Sequence, residues 1–391
     1  MQKPDLPGTL LFQPAAMLTL PNSVEVSDAL SVNGGGVGGG SNSIRTALGE
    51  YFERRHFYRE VISRRRGRLD GSLQRREVRG FAEAFVQTAS NSVSVKELMS
   101  HTFALTEVVR SSDFTKCLIP TVCISLSSHG LGEDCSLYPL RDTCGCSFYW
   151  FKDVAFLGAV KECLERQFLV RFWLTKKCCS RVSSANVESL LKGMHVKYLY
   201  SALIASGEMT FLDISDSRFP GVCILAIYGT SRVNARVKYC AGMSYASGLA
   251  LALEKSLLEL WQTYRFMDLF KVTDSEEAKL EDPYIRHFLS CNSYQTCQEV
   301  VDVVECGGTG STLGFELPVF LSVLKRMDVS GYFYSKCEMI NGVECVFAKY
   351  ISPDLFLHMN NSSNFNLENR YSKDFKKSID SSRLCRMVPF P

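Results

Sequence analysis

Between Ser43 and Tyr58 the apolar positions fall at Ile44, Ala47, Leu48, Tyr51 and Phe52, the i, i+3, i+4, i+7, i+8 stripe of a helix with one face on a core. Thr46, Glu50, Glu53 and Phe57 fall on the opposite face, because residues three or four apart stand one above another. A pair of acids on the polar side of one amphipathic helix is ordinarily a solvated face. Here the pattern recurs. Gly158–Phe168 puts Val160, Cys163, Leu164 and Phe168 on a stripe, with Glu162, Glu165 and Arg166 off it. Leu253–Arg265 does the same with Leu253, Leu257, Leu260 and Trp261, leaving Glu259 and Gln262 beside the stripe. Each segment carries Glu-x-x-Glu or Glu-x-x-Gln, and each follows a run of small residues: GGGVGGGSNS, TCGCS and CAGMSYASG. The first acids lie 162 − 50 = 112 and 259 − 162 = 97 positions apart, too far for a solenoid and suited to pseudo-repeated units within one domain. The spacing predicts three helices converging on a common acidic site.

Around these helices, runs rich in β-branched and aromatic residues at 118–128, 168–174, 209–215, 222–229 and 235–242 read as strands bounded by turn residues. The last two suggest a hairpin. A second hairpin is expected where Tyr332–Ile340 and Val343–Ser352 flank Asn341-Gly342, a turn pair suited to φ > 0 at both central positions. Helices are expected at Val187–Leu191 and Cys297–Val304. Strands and helices interleave without strict alternation, so the fold class is α+β or mixed α/β. We expect a single large α+β domain of mixed sheets and helices over 31–391, with 1–30 as an N-terminal arm or edge segment.

Composition narrows the function. The 391 residues are 46% hydrophobic and 22% charged, with a net charge of +3, which is too small by itself to argue for a nucleic-acid or membrane partner. No apolar run approaches the roughly 18 residues of a membrane helix, and the N-terminus is a poor signal peptide, so a cytoplasmic protein is expected. The 16 cysteines lack paired C-x2-C spacing and the 6 histidines are scattered; buried, reduced thiols fit better than a zinc site. Gly34–Gly40, six glycines in seven positions, reads either as a flexible turn or as backbone open to a phosphate. Arginine is dense from Arg54 to Arg79, either a solvated surface or a docking face for an acidic partner. The chain ends in Pro389-Phe390-Pro391, a stiff terminus because proline fixes φ.

Thr46-x3-Glu50-x2-Glu53-Arg54, Glu162-x2-Glu165-Arg166, Glu259-x2-Gln262 and the final Pro-Phe-Pro together resemble the YcaO superfamily. The resemblance extends over loops such as 141–148 and 352–362 and covers about residues 35–391. Thr46 stands where the family usually has Ser, and the lysine that many members carry in the glycine-rich lead-in is missing. The resemblance implies an ATP-dependent, Mg²⁺-dependent cyclodehydratase that closes Cys, Ser or Thr of a ribosomal precursor peptide onto the preceding carbonyl. It implies metal ligands among Glu50, Glu53, Glu162, Glu165 and Glu259. ATP contacts would come from Ser43, Thr46, Glu53, Arg54, Ser147, Arg166, Glu259 and Gln262. Catalytic roles would fall to Arg54, Arg166 and the C-terminal carboxylate of Pro391. The implied partners are the precursor peptide, a leader-peptide-binding subunit and an FMN-dependent azoline dehydrogenase, with no nucleic acid and no membrane. Thioamide or amidine formation belongs to the same superfamily. A non-catalytic scaffold should have lost some of the five glutamates, all of which are present.

Overall fold

A computed structural model describes residues 7–13, 19–29, 32–63, 65–272, 283–307 and 313–390. Three strand–helix units carry its architecture. Strand β1 (Asn33–Gly38) leads into helix α1 (Asn42–Arg55), β2 (Cys146–Tyr149) into α2 (Lys152–Thr175), and β3 (Tyr239–Ala246) into α3 (Leu249–Val272). Each helix packs on its own strand and on that of another unit: α1 on β1 and β2, α2 on β2 and β3, α3 on β3 and β1. The three units therefore close into a ring.

Each lead-in strand is the edge of a different sheet. β1 borders a three-stranded antiparallel sheet with Asn22–Ser27 and Thr9–Gln13. β3 borders a four-stranded sheet through Val222–Gly229 and Glu208–Asp213 to Ser180–Arg181. β2 borders a six-stranded sheet that continues through the hairpin Val343–Ile351 and Tyr332–Ile340 to Phe103–Arg110. An edge strand exposes backbone N–H and C=O groups that need partners. Here the motif helices lie against those edges.

The small-residue runs have a packing reason. A Cβ on Gly34 would overlap Ala47 O and Tyr51 N of α1, and one on Gly36 would overlap Ser43 O. Gly242 on β3 stands equally close to Leu260 N of α3, and Gly158 on α2 to the Ser147 hydroxyl of β2. Only glycine permits so close an approach of strand to helix. Gly34–Gly40 is thus a strand followed by a turn at Gly40 (φ 55°), rather than a flexible loop along its whole length.

The strand run at 222–229 and the Asn341-Gly342 hairpin form as expected, with Asn341 at φ 49° and Gly342 at φ 82°. Four readings are corrected. Residues 168–174 lie in α2, not in a strand; Phe168, Leu169, Val170, Phe172, Trp173 and Leu174 are all buried, and a run apolar on every side carries no period to tell helix from strand. The strand expected over 118–128 ends at Pro120 and gives way to a 3₁₀ turn, Thr121–Cys123. The strand expected from Ala235 begins at Tyr239, where the Asn292 side chain caps the Lys238 and Tyr239 N–H groups. Phe57 is buried because a π-helical segment, His56–Glu60, follows α1 and turns it inward.

The arginine-dense segment is largely neutralised internally. Arg54, Arg55, Arg59, Arg68, Arg76 and Arg79 pair with Glu50, Glu60, Asp28, Asp70, Asp328 and Glu83; Arg64 lies outside the described residues. The cysteines are free and most are buried. Among the described residues, no helix is long and apolar enough to cross a membrane.

The contact between β1 and α1 can be tested directly. Gly36→Ala should destabilise the chain by about 1–3 kcal/mol through overpacking. Gly39→Ala, with open space around it, should stay within about 0.5 kcal/mol. Urea denaturation of the two variants checks this.

Candidate active site

At the centre of the ring the acids of the three helices meet, and each unit contributes a carboxylate that accepts an edge-strand N–H. Glu50 Oε2 accepts from Gly35 N at 2.7 Å, Glu259 Oε2 from Met243 N at 3.0 Å, and Glu165 from Tyr245 N. Those three edge N–H groups are thereby satisfied by side chains, and these acids are held without relying on one another. Glu50 pairs with Arg54, whose Nη1 donates to Asn33 Oδ1 at 2.6 Å. Arg166 Nε donates to Glu162 Oε1 at 2.8 Å and its Nη2 to Thr143 Oγ1 at 3.3 Å. Lys161 Nζ lies 3.3 Å from Glu165 Oε2. Gln262 of α3 reaches β1, its Nε2 standing where a side chain on Gly35 would be.

The carboxylates crowd one another. Burial, then Glu162 and Glu50, push Glu53 up to about 8 against the pull of Arg54 and Arg166. Glu259 has an exposed side chain; desolvation by the neighbouring protein, then Glu165 and Glu162, push it up to about 8. Glu165 is also raised, chiefly by burial. Acids about a hundred residues apart thus act on one another, as convergence requires.

The remaining expected residues sit differently. Ser43 is buried, with its hydroxyl donating to Gly40 O at 3.3 Å, and Thr46 donates to Asn42 O at 3.0 Å. Ser147 packs against Gly158 of α2. These three hydroxyls flank the ring and make no hydrogen bond to the acids among the described residues. Pro391 lies outside the described residues. The tail before it is anchored: Tyr239 Oη donates to Pro389 O at 2.9 Å and Phe390 is buried in the core.

Sequence reasoning missed Glu25. It lies on Asn22–Ser27 directly opposite Gly35, with Oε1 3.1 Å from the position of a Gly35 Cβ, and desolvation followed by Glu50 raises it to about 7. The signal was available in Val24-Glu25-Val26, where a polar residue alternates with two fully buried valines.

His56, Glu60 and Glu338 are the one His/Cys/Asp/Glu group among the described residues whose ligand atoms converge within 4.8 Å. Both His56 ring nitrogens are already engaged, by Glu60 at 2.8 Å and Tyr334 at 3.0 Å, so this is a structural network. The motif carboxylates do not converge so tightly. That spacing, the all-oxygen donor set and the excess negative charge suit Mg²⁺, which takes one or two carboxylates and fills its octahedron with phosphate and water.

A family model described as YcaO cyclodehydratase, ATP- and Mg²⁺-binding, matches residues 38–302. The microcin B17-processing protein McbD of Escherichia coli is 31% identical over 393 residues, covering 98% of this chain and 97% of McbD. The solved E. coli microcin synthetase McbBCD complex with pro-MccB17 bound contains a similar chain at TM-score 0.89 and 31% identity, over 99% of this chain and 97% of that one. YcaO from Methanopyrus kandleri, solved with AMPPCP and Mg²⁺, shares the fold at TM-score 0.55 and 13% identity, over 88% of this chain and 85% of that one.

Raised carboxyls bind protons more tightly folded than unfolded, where they titrate near about 4.3. Their contribution to stability is therefore full at low pH and is lost as pH rises through about 7 for Glu25 and about 8 for Glu53 and Glu259. Without metal, the denaturation midpoint should fall between pH 5 and pH 9, and Glu53→Gln should flatten that fall. An identical slope in the variant would count against the crowded arrangement.

Proposed function

The chain belongs to the YcaO cyclodehydratase family, and we propose that it is the ATP- and Mg²⁺-dependent cyclodehydratase subunit of an azole-forming synthetase. It converts Cys, Ser or Thr of a ribosomal precursor peptide to thiazoline or oxazoline. The observation that carries this reading is the ring of edge-strand and helix units converging Glu50, Glu53, Glu162, Glu165 and Glu259 on one acidic site. Partners of the McbB and McbC kind and a precursor peptide complete the assembly, by likeness to the McbBCD complex with pro-MccB17 bound. The cytoplasm is the proposed location, and 31–391, with strand Asn22–Ser27 added from the N-terminal segment, is the working unit.

Bound Mg²⁺·ATP supplies the phosphoryl group that turns the amide oxygen into a leaving group. The protein's own task is positioning and charge neutralisation, which dominate phosphoryl transfer. Glu50, Glu162 and Glu259, held by strand N–H groups or arginine, would present oxygens to the metal. Glu53 and Glu165 would join them once a cation relieves their crowding. Arg54 and Arg166 hold Glu50 and Glu162 in place and would also contact the incoming phosphates. Gln262 and the hydroxyls of Ser43, Thr46 and Ser147 would bind the nucleotide around the rim. The Pro391 carboxylate would take the proton of the attacking thiol or hydroxyl, on a tail kept in place by Tyr239 and Phe390.

Two outcomes are expected. Glu50→Ala and Glu162→Ala should abolish Mg²⁺-dependent binding of a non-hydrolysable ATP analogue while the circular dichroism spectrum is kept. Full affinity in both folded variants would sink the site. One glycine added after Pro391 should cut ring formation, followed as water mass lost from the precursor, by about 10²–10⁴. Extension is a cleaner test than deletion, because Phe390 belongs to the core. An extended chain with full activity would show the terminus to be ordinary.

A further inference from the structure

Trp173 stands near the end of α2, eight residues after Glu165 (173 − 165 = 8), about 12 Å along the axis at about 1.5 Å per residue. Its indole is buried, and a buried indole N–H needs an acceptor. The acceptor is Arg386 O, at 2.7 Å, five residues before the final Pro391 (391 − 386 = 5). More of the same tail gathers on this side chain and on the end of α2. The Arg383 guanidinium lies 4.1 Å from the indole centroid and that of Arg386 6.0 Å. Arg383 is fully buried; its Nη1 donates to Trp173 O at 3.2 Å and its Nη2 to Glu299 O, on the helix Tyr294–Val301, at 2.8 Å. Asp380 N donates to Leu174 O at 2.8 Å. These carbonyls belong to the last turns of two helices, where the helix itself supplies no partner and a cation is favoured. The tail thus caps α2 and is held by it.

The tail is fastened a second time from β3, where Tyr239 Oη donates to Pro389 O at 2.9 Å. Tyr239 precedes Met243 by four residues (243 − 239 = 4), about 13 Å along a strand. Both anchoring elements also build the acid site. α2 carries Glu162 and Glu165, and β3 supplies the N–H groups that hold Glu259 and Glu165. Beside its anchors the tail borders a cavity of about 380 Å³, lined by Met387 and Pro389 together with His287 and Cys291. Close packing does not fix the tail on that side, which leaves the task to directional bonds.

We propose that Trp173 is a positioning residue for the reaction. By holding Arg386 O, while Tyr239 holds Pro389 O, it sets where the terminal carboxylate stands relative to the acids. The assignment rests on the reading of Pro391 as the base. Helices and strands hold groups more precisely than loops do, so α2 and β3 serve as two rulers between acid site and base. A reacting group misplaced by about 1 Å loses on the order of 10² in rate.

The test is a double-mutant cycle on the full chain within its complex. The substrate is the chain's own Cys/Ser/Thr-bearing precursor peptide, and ring formation is followed as water mass lost. Trp173→Phe keeps an aromatic side chain and removes the N–H. In the native-length chain it should lower kcat by about tenfold to a hundredfold, with KM for the peptide and Mg²⁺·AMPPCP affinity within about twofold of wild type. In a chain extended by one glycine after Pro391 the base is already displaced, so the same substitution should change the residual rate by less than about twofold. Tyr239→Phe, which loses only a hydroxyl, should repeat both results and carries the test if Trp173→Phe does not fold. An equal rate loss in native and extended chains, or one matched by a fall in AMPPCP affinity, would make the tryptophan merely structural and overturn the assignment. Full activity in both variants would overturn it too. An extended chain as active as the native one would overturn the reading of Pro391, and a wild-type complex that forms no rings the proposed function itself.

Discussion

Carboxylates that repel one another must be held by something other than themselves, and here unpaired N–H groups at the edges of two of the sheets hold one acid from each of the three units. Gly35, Met243 and Tyr245 each donate to a glutamate on a motif helix. For the bond to form, helix and strand backbones must come closer than side chains allow. Glycine at 34, 36, 158 and 242 removes the obstacle. The same contact that closes the sheet edges therefore aims the acids.

The ring explains why the site works as a unit although its parts are remote in sequence. Each helix is clamped between its own edge strand and another unit's, so no unit can shift without disturbing two sheets. Three separate cores surround it: one under α2, one under α1 and one between α3 and its sheet. Rigid elements of this kind hold catalytic groups more precisely than loops do. The acids remain strained electrostatically, as the elevated Glu53 and Glu259 show. On the proposed function, a divalent cation would relieve that strain on binding, and the fold would store part of the driving force for metal capture.

Much of this was legible in the sequence, and the exceptions have physical causes. The stripes around Glu50, Glu162 and Glu259 were readable because helical amphipathicity is a local property. Their convergence was readable because the motif recurs three times. The first lead-in strand was not read as a strand: glycine disfavours strands and gives no alternation of side chains, and only the approaching helix explains it. The 168–174 run misled because a helix buried on all sides loses its period. Glu25 was overlooked in a short strand among prolines, since pairing opposite Gly35 is a tertiary fact.

The most direct measurement is the number of protons released when Mg²⁺·AMPPCP binds, obtained by calorimetry at pH 7 in buffers of different ionisation enthalpy. Ligand carboxylates must be deprotonated to hold a metal, and Glu53 and Glu259 stand near 8 before it arrives. Release of at least one proton per binding event at pH 7, disappearing at pH 9.5 and reduced in Glu53→Gln, is the predicted result. Tight binding with no proton release at pH 7, or binding that needs no Mg²⁺, would contradict the claim that these crowded carboxylates receive the metal.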